Sequence, residues 1–210
     1  PTNNWTYKDM AAAAAKLSGT YSLPHDSTSQ LRFGMAFNTD DFSELLDEIR
    51  ELKPHAILLS LVGQDAVQFN RAFGDVGLAR DMFRLSCAIE ENGLLAIGAD
   101  NTEGLFVSSG YFGSLESDAN MAFRERYHNH FGQRAPTLNA LGQSTYEGMH
   151  FLGALFAGSR QPMACLEHLG GTPIHYRSAR EADYQGGGVN RTPIYLARAE
   201  GNAFRVITRL

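Results

Sequence analysis

Few side chains in this sequence stand where their types and spacing would let them do covalent chemistry. Gly142-Gln143-Ser144-Thr145-Tyr146 begins like a turn that presents a nucleophilic serine. Tyr146, however, takes the place of the second glycine, which such a turn needs to pass sharply from strand to helix. The stretch reads instead as the start of a helix. Cys87 would be a nucleophile only where its surroundings lowered the thiol pKa, and no histidine lies close in sequence to do so. A buried strand thiol is the plainer reading. His128 and His130 sit two apart on an expected helix, about 200° round from one another, so they cannot share a metal on one face. Glu125 and His128 do share a face, but no third ligand is offered nearby. Gly186-Gly187-Gly188 is no phosphate cradle, because strands follow it where a helix start would be needed, and there is no Walker sequence. Cys87 and Cys165 have no CxxC spacing. The inventory calls for no catalytic residue, no metal and no cofactor.

The elements that would position a ligand are clearer. Phe42, Leu45, Leu46, Ile49 and Leu52 recur at helical spacing against Glu44, Asp47, Glu48, Arg50 and Glu51, which gives one amphipathic helix. Thr39, Asp40 or Asp41 is expected to cap it, with Asp41 and Glu44 imitating a capping box, and Lys53-Pro54 to stop it. Ala56 to Val62 is a nearly unbroken apolar run, expected as a parallel strand covered on both faces. Gly63 frees the turn, Asp65 is expected to cap the next helix, and that helix runs out at Gly74 or Gly77. The Val62 to Gln64 turn leaves the carboxyl end of a strand, the place where open α/β sheets meet small molecules.

The alternation continues along the chain. The loop Asn4-Trp5-Thr6-Tyr7 precedes a helix-favouring run from Asp9 to Leu17, and Leu31, Phe33, Met35 and Phe37 alternate as a strand. Met82 to Ile89 and Gly104 to Ser109 read as further strands, with a short helix from Glu90 to Ile97 between them. Gly110-Tyr111-Phe112-Gly113-Ser114 is an aromatic turn whose rings either line a cleft or seal the core. Helices follow from about Ser117 to Phe131, closed by Gly132, and from Leu138 to Gly158, the latter carrying Leu141, Thr145, Met149, Leu152 and Leu155 on one face. Ile194 to Arg198 and Phe204 to Ile207, joined through Glu200-Gly201-Asn202, read as a hairpin. The fold class is therefore α/β, with a doubly wound, mostly parallel sheet and a C-terminal hairpin.

With 210 residues, 43% of them hydrophobic and 20% charged, the chain can bury a core of one or two domains. A net charge of −5 with scattered Lys and Arg argues against nucleic acid or an anionic membrane as partner. No apolar run approaches the ~20 residues of a membrane-spanning helix. The sequence opens as if in the middle of an α/β unit, as a fragment of a longer chain would. What remains is a set of strand exits carrying aromatic, hydroxyl and backbone groups suited to a small neutral polar ligand.

The order of Asn4-Trp5-Thr6-Tyr7, Thr39-Asp40-Asp41-Phe42, Lys53-Pro54-His55-Ala56, Leu61-Val62-Gly63, Leu85-Ser86, Gly110-Tyr111-Phe112 and Tyr195-Leu196-Ala197-Arg198 resembles type I periplasmic binding proteins. It is most similar to their amide, urea and branched-chain amino-acid branch, and covers only the second half of such proteins. The resemblance implies two α/β lobes that close on a ligand. It makes residues 1–137 the second lobe, 138–160 a helix returning to the first, and 161–210 strands rejoining the second. It implies ligand contacts at Trp5, where amide binders usually carry tyrosine, and at Tyr7, Val62, Gly63, Ser86 and Tyr111.

By the same resemblance the partner is the membrane permease of an ABC transporter, the compartment is the periplasm, and a homo-oligomer is allowed. The alternative is a cytoplasmic amide-sensing regulator of an amidase operon, acting through a regulator protein. An out-of-class alternative is an α/β hydrolytic enzyme using Ser144 or Cys87.

Overall fold

The computed structural model describes residues 39–157, 171 and 173–210. The expectations for Trp5, Tyr7, the Asp9 to Leu17 helix and the Leu31 to Phe37 strand lie outside these described residues. Helices α1 (Ser43–Leu52), α2 (Gly63–Asp75), α3 (Glu91–Ile97), α4 (Asp118–Phe131) and α5 (Ala140–Ala157) alternate with β1 (Ala56–Leu59), β2 (Phe83–Ser86) and β3 (Leu105–Ser109). Four further strands follow: β4 (Asp183–Tyr184), β5 (Asn190–Arg191), β6 (Tyr195–Glu200) and β7 (Ala203–Arg209). One sheet has the order β1-β2-β3-β6-β7, and β4 pairs antiparallel with β5. The β1-β2 and β2-β3 pairs are parallel and the C-terminal strands antiparallel, so the expected mostly parallel α/β architecture is present. Gly201, at φ +62°, makes the tight turn between β6 and β7.

The chain divides into two compact units. Among the described residues the first comprises 39–89, Gly93–Val107 and Ala199–Gly201. In it α1 buries Phe42, Leu46 and Ile49, as its spacing required, while Leu52 is left exposed. Phe42, not the expected Thr39, Asp40 or Asp41, stands at the N-cap and makes no side-chain cap bond; Asp41, one residue earlier, accepts the Ser43 backbone N–H at 2.9 Å and the Ser43 hydroxyl at 2.6 Å through Oδ1. Those bonds hold the Asp41 carboxyl below its ordinary range. Lys53 ends the helix in the left-handed conformation, returning its N–H to Ile49. On α2, Phe69 and Phe73 are buried, and Phe69 meets Phe42 edge-on with ring centroids 5.6 Å apart.

Two expectations are corrected here. Helix α2 begins at Gly63, with Val62 in extended conformation before it, so Asp65 lies inside the first turn and is buried there instead of capping. Strand β1 stops at Leu59, level with the end of its register with β2 at Ser86, so Ser60 to Val62 of the apolar run lie outside the strand. Nor is β1 covered on both faces: Leu58 is exposed, as are Phe83 and Leu85 of its neighbour β2.

On β2 the binary pattern is inverted. Phe83 is 59% exposed, whereas Arg84 is wholly buried. The guanidinium donates to Asn70 Oδ1 at 2.7 Å and to the backbone carbonyls of Asn101 and Glu103 at 3.0 and 2.6 Å. It also stands 4.7 Å from the centre of the Phe73 ring. Burial pulls its pKa down to about 10. Its Nη1 and Nη2 find acceptors while Nε, also buried, has none, so the burial of this cation is only partly compensated.

The second unit comprises Glu90–Asn92, Ser108–Arg198 and Asn202–Leu210. Ser117 caps α4 by accepting the Asn120 N–H. Helix α4 packs on α5 through an aromatic seam, with Phe123 and Tyr146 ring centroids 4.8 Å apart. The expected apolar face of α5 is split: Leu155 is buried with Ile174 and Tyr184, while Leu141, Met149, Leu152 and Phe156 are exposed.

Candidate functional site

The two strand exits of the first unit are brought together. Leu59 and Ser86, the last residues of β1 and β2, are register partners, so the two strands end level and their exit turns leave side by side. Val62 is half-buried, and Gly63 is exposed at φ +59° with open space where a Cβ would project. The opening N–H groups of α2 have no partner further back within the helix, which makes this turn a donor edge. Ser86 is 1% exposed and its Oγ accepts the Ala88 backbone N–H at 3.2 Å. That bond uses one acceptor position of the hydroxyl and leaves its proton for donation. Cys87, expected as a buried strand thiol, is exposed and unpaired. From Leu59 to Gln64 and from Leu85 to Ile89 there is no ionisable side chain other than this thiol. The edge is polar and uncharged.

Tyr111 belongs to the second unit, where the aromatic turn seals the core. Tyr111 and Phe112 are each 1% exposed, and the Phe112 ring lies against Phe204. The Tyr111 hydroxyl donates to Asn120 Oδ1 at 2.9 Å, and Asn120 Nδ2 in turn donates to the Leu115 carbonyl at 2.8 Å. Burial, reinforced by the charge of Glu91, drives the phenol pKa upward. Glu91 accepts the Gly113 N–H at 2.7 Å, and burial raises its own carboxyl pKa. The Tyr111 hydroxyl, the Asn120 amide and Glu91 Oε1 are thus engaged within the turn, whereas the buried Ser114 Oγ has no partner.

The same unit contains a group that sequence reasoning missed. Glu147, 3% exposed on α5, accepts from Gln143 at 2.7 Å, from the Ser178 hydroxyl at 2.6 Å and from Arg180 through Nε and Nη2, both at 3.0 Å. Arg180 also donates to Ser144 Oγ at 3.3 Å, so this serine faces a guanidinium and not a base. Beside the ion pair opens a cleft of about 630 Å3, walled by Phe151, Tyr176 and Tyr184. Glu147 and Arg180 lie 33 positions apart, and no local pattern connects them. Among the described residues no cluster of three or more His, Cys, Asp or Glu side chains is placed to hold a metal, and no helix is long and apolar enough to cross a membrane.

Comparison with known proteins follows the fold. An amino-acid ABC-transporter substrate-binding protein from Pseudomonas fluorescens superposes with a TM-score of 0.73 at 15% identity, over 97% of this chain and 56% of its own. A branched-chain amino-acid ABC-transporter ligand-binding protein from Burkholderia xenovorans gives 0.68 at 19% identity, over 85% and 50%. A solute-binding protein from R. palustris, solved with 4-hydroxybenzoate, gives 0.70 at 19%, over 85% and 51%. The chain thus spans about half the length of the solved relatives it matches. No curated protein sequence is a significant match. The family model for periplasmic binding proteins matches residues 6–203, nearly the whole sequence, and the chain therefore belongs to the periplasmic binding protein family.

Proposed function

We propose that the chain is the ligand-gripping half of a solute-binding protein that captures a small neutral amide, urea or branched-chain amino acid and delivers it to the permease of an ABC transporter in the periplasm. The observation that carries this reading is the level pair of exits at Leu59 and Ser86. The donor edge at Val62-Gly63 suits a ligand carbonyl, and the Ser86 hydroxyl can donate to a second ligand oxygen. Because this edge is a helix N-terminus, it suits the carbonyl oxygen of an amide or urea as well as the carboxylate end of an amino acid. Trp5 and Tyr7 complete the proposed contact set from the preceding loop. Tyr111, spent on Asn120, supports its own turn.

The same reading assigns α5 to the partner lobe of a longer protein. Its exposed Leu141, Met149, Leu152 and Phe156 form an apolar stripe that such a lobe would cover. The reading supplies no turnover, and Ser144 is held by Arg180. A thermal-shift screen of acetamide, urea and leucine on the intact protein tests it, since a bound ligand stabilises by RT ln(1 + [L]/Kd).

A further inference from the structure

The cleft beside Glu147 and Arg180 is lined wholly by residues of the second unit and shares none with the strand exits of the first. We propose that it is a second binding site, built for a flat, uncharged aromatic ring bearing a hydroxyl or amide. At about 630 Å3 it has the size of small-molecule sites, which are apolar concavities with a few fixed polar groups.

The walls define the ligand. Phe151 meets Tyr176 and Tyr184 nearly edge-on, at centroid distances of 5.3 and 5.4 Å and interplanar angles of 84° and 68°. A planar ring fits such walls in stacked or edge-to-face contact. The polar groups at the rim are already oriented: the Tyr176 hydroxyl bonds Asn190 Oδ1 at 3.2 Å, leaving the Asn190 amide to donate. Charge selects against ions. Glu147 and Arg180 neutralise each other, and an anion reaching Arg180 would meet the Glu147 carboxylate, while a cation reaching Glu147 would meet Arg180.

Gly148 keeps the cleft open. It lines the cavity in the middle of α5, and a Cβ built there meets nothing within 4 Å. Packing therefore does not demand glycine at this position, although glycine weakens a helix interior relative to alanine. Ser144, Gly148 and Phe151 fall at i, i+4 and i+7, one stripe of the helix, which borders the exposed Leu141 and Leu152 on its Gly148 side.

Benzamide is the probe, with benzoate as its charged counterpart, followed by calorimetry and saturation-transfer NMR on the intact protein. Benzamide is expected to bind, and at least tenfold more tightly than benzoate. Gly148→Leu, which fills the floor, is expected to weaken benzamide at least tenfold with an unchanged circular-dichroism spectrum. Phe151→Leu, a milder change to the wall, is expected to weaken it severalfold. Gly153→Leu, at an exposed position on the far side of α5 that also has open space, is expected to bind as the parent does. The proposal is overturned if the parent protein takes up no benzamide at 10 mM, a concentration on the order of the weakest useful site affinity. Benzoate binding as tightly as benzamide overturns it too, as does undiminished benzamide affinity in both Gly148→Leu and Phe151→Leu. Benzamide held at the β1 and β2 exits instead would be weakened by Ser86→Ala and not by Gly148→Leu or Phe151→Leu, which is how failure of this proposal and failure of ligand capture at the exits are told apart.

Discussion

Glu147 on α5 and Arg180 on the returning segment form a buried, two-pronged ion pair, with Nε and Nη2 of the arginine each 3.0 Å from the same carboxylate oxygen. The pair ties the helix to the segment that leads into the C-terminal strands. Removing one partner strands the other charge in an interior that cannot solvate it. Glu147→Ala is expected to cost roughly 3–5 kcal/mol of unfolding free energy. Urea denaturation of this variant beside the parent measures it, and a loss below ~1 kcal/mol would show that the pair is solvated and does not hold α5.

Arg84 offers a contrasting case, a buried cation with no carboxylate. Arg84→Ala removes donors from Asn70 and two backbone carbonyls and opens a cavity against Phe73. The expected loss is about 3 kcal/mol or more by urea denaturation. Arg84→Met, which refills the space without the charge, is expected to lose less, because it also escapes the desolvation that pulls the arginine pKa down to about 10.

Glu91 makes stability pH-dependent in a definite direction. Burial raises its folded pKa above the ordinary 4.5, so the folded state holds the proton more tightly than the unfolded state does. Its contribution is fully present below pH 4.5 and is lost as pH rises through the raised folded value. Glu91→Gln keeps an acceptor for the Gly113 N–H and never ionises. Its stability relative to the parent is therefore expected to improve from pH 4 to pH 7, read from urea midpoints at both. A difference that stays constant or reverses would show that Glu91 ionises without a burial penalty.

Much of the scaffold was legible because local rules agreed with the final packing. The spacing of Phe42, Leu46 and Ile49 specified α1, and Gly201 between two alternating runs specified the β6-β7 hairpin. Sequence failed where a residue's environment is assembled from afar. Phe83 to Ser86 alternates apolar and polar residues, which invites burial of Phe83 and Leu85. The opposite face is buried instead, because Asn70 of α2 and the carbonyls of Asn101 and Glu103 gather around Arg84. Asp65 resembled a cap and sits inside a turn, since Gly63 admits the helix two residues earlier. The Glu147 site joins residues across a long chain separation, with no periodicity to announce it. At the candidate site the turn at Val62-Gly63 was readable from glycine placement, while the burial of Ser86 and the Tyr111–Asn120 bond required the packed chain.

Trp5, the single tryptophan, is placed by this account in the loop that meets the ligand. Its emission is expected to shift in wavelength or intensity as a stabilising ligand is titrated into the intact protein. A spectrum unchanged at saturation would remove Trp5 from the contact set.

The central claim, capture of a small neutral ligand at the paired exits of β1 and β2, is tested most directly by calorimetric titration of the parent and Ser86→Ala with whichever of acetamide, urea or leucine raises the melting temperature. Saturable binding with no product formed is expected, weakened in Ser86→Ala by roughly 1–3 kcal/mol because a buried polar group of the ligand loses its partner. Equal affinity in the two proteins, or no shift from any of the three compounds at 10 mM, a concentration that would fill most of a site with a Kd of about 1 mM, would contradict it.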